Sequence, residues 1–116
     1  MKKTYLFLLI INFLLIVSGC SSDYRYPPGK DTVDIFGNGK FQILSGTGDN
    51  NFMNVETQED IELYVYKYKE IEPLVYVIGE SGYTILNYQT EKVKKYKIID
   101  NVPTKQQEIF VKMEKK

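Results

Sequence analysis

Residues 61–71, Ile-Glu-Leu-Tyr-Val-Tyr-Lys-Tyr-Lys-Glu-Ile, alternate with a two-residue period. On a strand, that period places Ile61, Leu63 and Val65 on one face and Tyr64, Tyr66 and Tyr68 on the other. A helix would scatter both sets around its circumference. The segment therefore demands a sheet, and one whose two faces differ in chemistry. Composition agrees, since Tyr, Ile, Val and Thr are abundant and favour strands.

Strand signals flank this segment on both sides. Thr32 to Phe36 alternates into Gly37-Asn38-Gly39, a turn sequence, and Phe41 to Leu44 supplies a return strand. Residues 45–51, Ser-Gly-Thr-Gly-Asp-Asn-Asn, read as a loop, and residues 52–57 as a short strand. Leu74 to Ile78 is apolar on both faces, as a central strand is. Gly79-Glu80-Ser81-Gly82 turns it back into residues 83–88, and after Thr90-Glu91-Lys92 residues 93–99 form a last strand.

The C-terminus changes period. Thr104 and Gln107 have the spacing of a capping box, and Ile109, Phe110 and Met113 share one helical face. Lys112, Lys115 and Lys116 fall where the helix dipole favours cations. Ile109, Val111 and Met113 also alternate as a strand would, but the capping spacing favours the helix. The expected fold is α+β and mainly β: a single antiparallel, curled sheet of about five or six strands with one C-terminal helix. Residues 36–44 and 78–86 also echo one another at an offset of 42 positions. Two copies cannot close a propeller, so convergence on good hairpin chemistry is preferred over duplication.

The first twenty residues have a different character. Lys2 and Lys3 precede an apolar run over residues 6–17, interrupted only by Asn12, and Val17-Ser18-Gly19-Cys20 follows with the only cysteine of the chain. A run of about a dozen residues falls short of the ~20 that cross a bilayer. A charged start, a short apolar core and small residues before a cleavage point are the parts of a secretory signal. Residues 17–20 resemble the lipobox of bacterial lipoproteins: an aliphatic residue, two small residues and an obligatory cysteine, with Val17 standing for the commoner leucine. The resemblance covers only the signal and its cleavage point. It implies removal of residues 1–19, a covalent diacylglycerol on the Cys20 sulfur as the only attached group, and a cell-membrane location, lipid-anchored at the extracytoplasmic face. One acyl chain binds membranes marginally and two bind stably.

Removal of 19 residues from 116 leaves 97, one small domain and a linker. Residues 20–31 are polar, contain Pro27-Pro28-Gly29, and read as a tether, with an ordered first strand as the alternative; residues 32–116 form the β-rich domain. Without Lys2 and Lys3 the 15 basic side chains become 13, against 15 acidic ones, a net charge of −2. That balance argues against a nucleic-acid partner and gives no polybasic aid to membrane binding.

The residue inventory also restricts chemistry. Histidine is absent, which removes the usual general base of a hydrolytic triad and the commonest neutral metal ligand. Acylation of Cys20 would remove thiolate and zinc chemistry. Glu56, Glu59, Asp60 and Glu62 could in principle pair for glycoside cleavage, but acids bordering a strand are ordinarily a solvated turn. Gly48-Asp49-Asn50-Asn51 lacks the spaced acids of a calcium loop, and neither glycine turn continues as a phosphate loop. No catalytic, cofactor or metal residue is assigned, and the chain is not expected to be an enzyme.

The functional candidates are therefore Tyr64, Tyr66 and Tyr68, joined by Tyr76, Tyr83 and Tyr88 if their strands pair. Either these rings form an exposed face that binds a protein or glycan, or they pack beneath the C-terminal helix. A small domain's need for apolar burial favours packing. The expected function is a non-enzymatic protein-binding module at the cell envelope, of immunity or accessory type. The alternative is a structural or glycan-associated envelope lipoprotein.

Overall fold

The computed structural model describes residues 24–46 and 48–115; the signal segment, Cys20 and the first residues of the tether lie outside the described residues. Seven strands follow one another as a meander, each hydrogen-bonded to its sequence neighbours: β1 (Thr32–Phe36), β2 (Phe41–Ser45), β3 (Asn50–Asn54), β4 (Glu59–Ile71), β5 (Leu74–Gly79), β6 (Gly82–Asn87) and β7 (Lys92–Tyr96). A 3₁₀ turn (Ile99–Asn101) and one helix, α1 (Thr104–Lys115), complete the chain. The mainly β, antiparallel architecture with a C-terminal helix is as expected. The strand count is seven rather than five or six, and the sheet does not close.

β3 is the strand whose bounds composition conceals: it runs over Asn50–Asn54 rather than residues 52–57, beginning inside the expected loop. Three of its five residues are Asn, and only Phe52 is fully buried. β5, by contrast, is apolar on both faces because it lies between two layers. Val75 and Val77, with Leu86 of β6, meet Phe36, Phe41, Ile43 and Phe52 on one side. Tyr76 and Ile85 meet Val102, Phe110 and Met113 on the other. Edge-to-face ring contacts, favourable beyond their buried area, mark each core: Phe36–Phe52 at 5.8 Å, Tyr76–Phe110 at 5.4 Å and Tyr83–Phe110 at 5.0 Å.

One sheet can supply both layers of the first core only by folding over itself, and β4 is where it folds. The first half of β4 pairs with β3 and its second half with β5, the two ladders meeting at Val65. Register shifts interrupt the pairing twice against β3 and once against β5, between Val65 and Lys67. Bulges of this kind bend a strand and let it pass from one layer to the next. The folded layers are latched at both ends. The Tyr64 carbonyl accepts the Glu80 amide at 3.0 Å at one end, and Lys40 of the β1–β2 turn pairs with Glu91 of the β6–β7 turn at the other.

The helix begins one residue earlier than a Thr104 cap would require, with Thr104 as its first residue. The Pro103 carbonyl accepts the amides of Gln106 and Gln107, and the Gln107 side chain donates back to Val102 at 2.7 Å in place of a capping-box exchange. Phe110 and Met113 are buried and Ile109 half-buried, the face anticipated. The two echoing segments are both hairpins with the same register, Phe36 opposite Phe41 and Ile78 opposite Tyr83. The β5–β6 ladder runs one pair further into its turn, to Gly79–Gly82.

Part of the expected tether is held against the domain. The Tyr26 amide donates to Asn38 at 3.1 Å, its carbonyl accepts from Gln42, and its hydroxyl donates to Glu56 at 2.5 Å. The contact uses Gly39, whose φ of 95° suits glycine; a β-carbon there would fall 1.9 Å from the Tyr26 carbonyl oxygen.

Candidate binding surface

The tyrosines do not share one face. The bulge between Val65 and Lys67 resets the alternation, so Ile61, Val65 and Tyr68 all pack against the first core. Tyr68 lies 6.1 Å from the Phe36 ring, and burial, then the Asp34 carboxylate beside it, raises its hydroxyl above the ordinary tyrosine range. Tyr64 and Tyr66 remain in solvent, 42% and 65% exposed, together with Leu63 at 58%. Tyr76 and Tyr83 sit beneath α1, and Tyr88 lies over Gly37 with its hydroxyl donating to Glu70 at 2.7 Å. Exposure and burial thus both occur in the set: Tyr64 and Tyr66 are exposed, Tyr76 and Tyr83 pack beneath α1, and Tyr68 and Tyr88 pack against the first core instead.

Of the exposed group, Leu63 and Tyr64 border a separate cleft beside Glu80, Ser81 and Lys95, and Tyr66 lines a groove of 680 Å³, within the size range of ligand sites. It lies between residues 65–69 of β4, Asn50 at the start of β3, and Lys112, Met113 and Lys115 at the end of α1. α1 is fixed over β4 by Lys67, whose ammonium donates to the Met113 and Glu114 carbonyls at 3.0 and 3.1 Å. Those carbonyls end the helix and have no partner further along it, so a cation suits them. Four lysines and no acid line the groove.

The acidic cluster considered for catalysis is dispersed into structural roles. Glu56 accepts the Tyr26 hydroxyl and pairs with Lys40 at 3.3 Å; the hydroxyl first, then the ammonium, hold its carboxyl below the usual range. Asp60 accepts from Asn51 at 2.7 Å. Glu62, expected in a solvated turn, is instead only 3% exposed, accepting from Ser81 and from the Tyr64 amide. Its clue in the sequence is Gly79, the residue whose missing side chain leaves room for it. The Asp49 loop closes by backbone bonds, Gly46 to the Asp49 carbonyl at 2.7 Å. Among the described residues no cluster of three or more His, Cys, Asp or Glu side chains could hold a metal.

The groove itself escaped sequence reading, because it depends on where β3 stops pairing with β4. Comparison with known proteins returns no match: no family model covers the chain, and no curated protein or solved structure resembles it.

Proposed function

We propose that the mature protein is a lipid-anchored, non-enzymatic binding module at the extracytoplasmic face of a cell membrane, where it recognises another protein of the envelope. The anchor rests on Lys2, Lys3, the short apolar core and Val17-Ser18-Gly19-Cys20. No helix among the described residues is long and apolar enough to cross a membrane. The observation that carries the binding reading is the exposed group Leu63, Tyr64 and Tyr66, the last of which lines a ligand-sized groove. Amphipathic aromatic rings of this kind are enriched at protein interfaces. Tyr26 is docked six positions after Cys20, so an extended linker of that length reaches at most about 20 Å, which keeps the surface close to the bilayer.

The glycan-associated reading drew on Tyr64, Tyr66 and Tyr68 as one platform. With Tyr68 turned into the core, a sugar would meet two rings, and the protein-binding reading is favoured. Mass spectrometry of the native product should find Cys20 as the amino terminus carrying diacylglycerol, and Cys20→Ala should release the protein from the membrane fraction. A photo-crosslinker at Tyr66 in intact cells should give one discrete adduct, reduced by Leu63→Ser with Tyr64→Ser. An unacylated Cys20 defeats the anchor; a diffuse smear without a discrete adduct defeats the specific partner.

A further inference from the structure

We propose that the groove takes an acidic polypeptide segment in extended conformation, added as a strand along the free edge of β4. The proposal deepens the binding-module reading by naming its partner class, and rests on that reading only for its setting at the membrane.

The edge is created by the fold in the sheet. β3 accompanies β4 only as far as Val65, whereas β5 accompanies it from Val65 to Ile71. Among the described residues no strand lies on the other side of residues 66–71. Six residues of strand edge, about 20 Å long, thus offer outward backbone donors and acceptors in the position that β3 vacates. The groove follows this edge rather than a face of the sheet. Its lining takes Tyr68, which turns to the first core, and also Lys67 and Lys69, which lie opposite the helix-side residues Ile78 and Tyr76. Side chains from both faces can line one groove only where it runs past the strand's rim.

Charge selects the occupant. Lys69, Lys112 and Lys115 make no ion pair among the described residues. The nearby acids Glu70 and Glu114 accept hydroxyls from Tyr88 and Tyr83 at 2.7 and 2.6 Å. This concentration of positive charge stands against a mature chain whose formal balance is negative. Lysines on an edge guard it from like strands, and α1 gains from cations in its last turn. The same charges repel a second copy of β4 and attract an acidic strand, so protection and selectivity have one electrostatic origin. A bare polyanion would satisfy the lysines but leave the β4 amides unused. A peptide satisfies both, in the strand-addition mode.

The test uses the full-length protein in detergent micelles and three octapeptides: alternating Glu–Val, alternating Lys–Val, and a Glu–Pro peptide of two Glu-Glu-Pro-Pro repeats, whose prolines fall on both edges of an added strand. The Glu–Pro peptide matches the first in charge but has half the backbone donors. The Glu–Val peptide should bind and protect amides within residues 66–71 from hydrogen exchange. The Lys–Val peptide should not bind, and the Glu–Pro peptide should bind about tenfold more weakly, the loss of roughly one net hydrogen bond to an otherwise unpaired edge. Lys69→Glu should weaken the Glu–Val complex by a similar factor, while Lys94→Glu on β7 should leave it unchanged. Equal binding of Glu–Val and Glu–Pro, or of inorganic polyphosphate with the same exchange pattern, would show charge capture alone and overturn the proposal. Protection elsewhere than residues 66–71 would overturn it as well. Cys20→Ala protein should bind the Glu–Val peptide as the native protein does, so failure of the anchor and failure of the groove read out separately.

Discussion

At the scale of single residues, the β5–β6 turn shows how a buried carboxylate is accommodated. A β-carbon on Gly79 would stand 2.4 Å from the Tyr64 carbonyl oxygen and 2.5 Å from the Glu62 side chain. One contact is backbone and the other is a buried carboxyl held by Ser81 and the Tyr64 amide, so neither yields cheaply. Gly79→Ala should therefore cost about 1–3 kcal/mol, the range for overpacking a close-packed interior. A urea midpoint unchanged from wild type would show that the layers are not locked together here. Thr84, fully buried in β6 above the first core, presents the opposite case, for its hydroxyl has no hydrogen-bond partner among the described residues. Valine keeps the shape and removes the unsatisfied group. Thr84→Val should raise stability by about 1 kcal/mol, measured as an upward shift in thermal midpoint.

At the scale of elements, β4 separates what alternation can reveal from what it cannot. A two-residue period assumes unbroken pleating, and the bulge near Tyr66 resets it, sending Tyr68 inward while Tyr64 and Tyr66 stay out. Replacement by Ser should therefore be nearly neutral at Tyr64 and Tyr66, within about 0.5 kcal/mol, whereas Tyr68→Ala should cost about 2 kcal/mol through lost packing on Phe36. Equal costs at all three positions would restore a single tyrosine face. The hairpins β1–β2 and β5–β6 were legible because glycine turns and apolar runs act locally. The face of α1 was legible because Phe110 and Met113 repeat at helical spacing. The bounds of β3 were obscure, two residues too late at its start, because asparagines dilute a strand whose burial rests on Phe52. The groove was illegible for a deeper reason, since it arises from a pairing that stops at Val65 and from a helix docked long after it in sequence.

At the scale of the whole molecule, the layers are joined by groups that titrate far from neutrality. At the acid end Glu56 holds Tyr26 and Lys40, and its carboxyl is lowered from 4.5. A carboxyl depressed on folding stabilises fully above its unfolded value, and the contribution is lost as pH falls through the folded one. Its site is open to solvent, so the effect is small. The alkaline end engages both cores. Burial, followed by Asp34, raises Tyr68; burial raises Tyr76; the Glu114 hydrogen bond, then burial, raises Tyr83; burial, then the Glu70 hydrogen bond, raises Tyr88. Between the ordinary tyrosine value of 10.0 and these higher ones, the unfolded chain has released protons that the folded chain retains. The contribution of these tyrosines is therefore undiminished below pH of about 10 and falls with rising pH above it. Tyrosinate absorbance from these four rings should appear together with unfolding rather than ahead of it. Tyr88→Phe removes one such titration and should make the alkaline decline less steep, even though the hydrogen bond to Glu70 is lost. If the slope stays the same, Tyr88 ionises as readily folded as unfolded, and the contact between the β1–β2 turn and the end of β6 is looser than its geometry indicates.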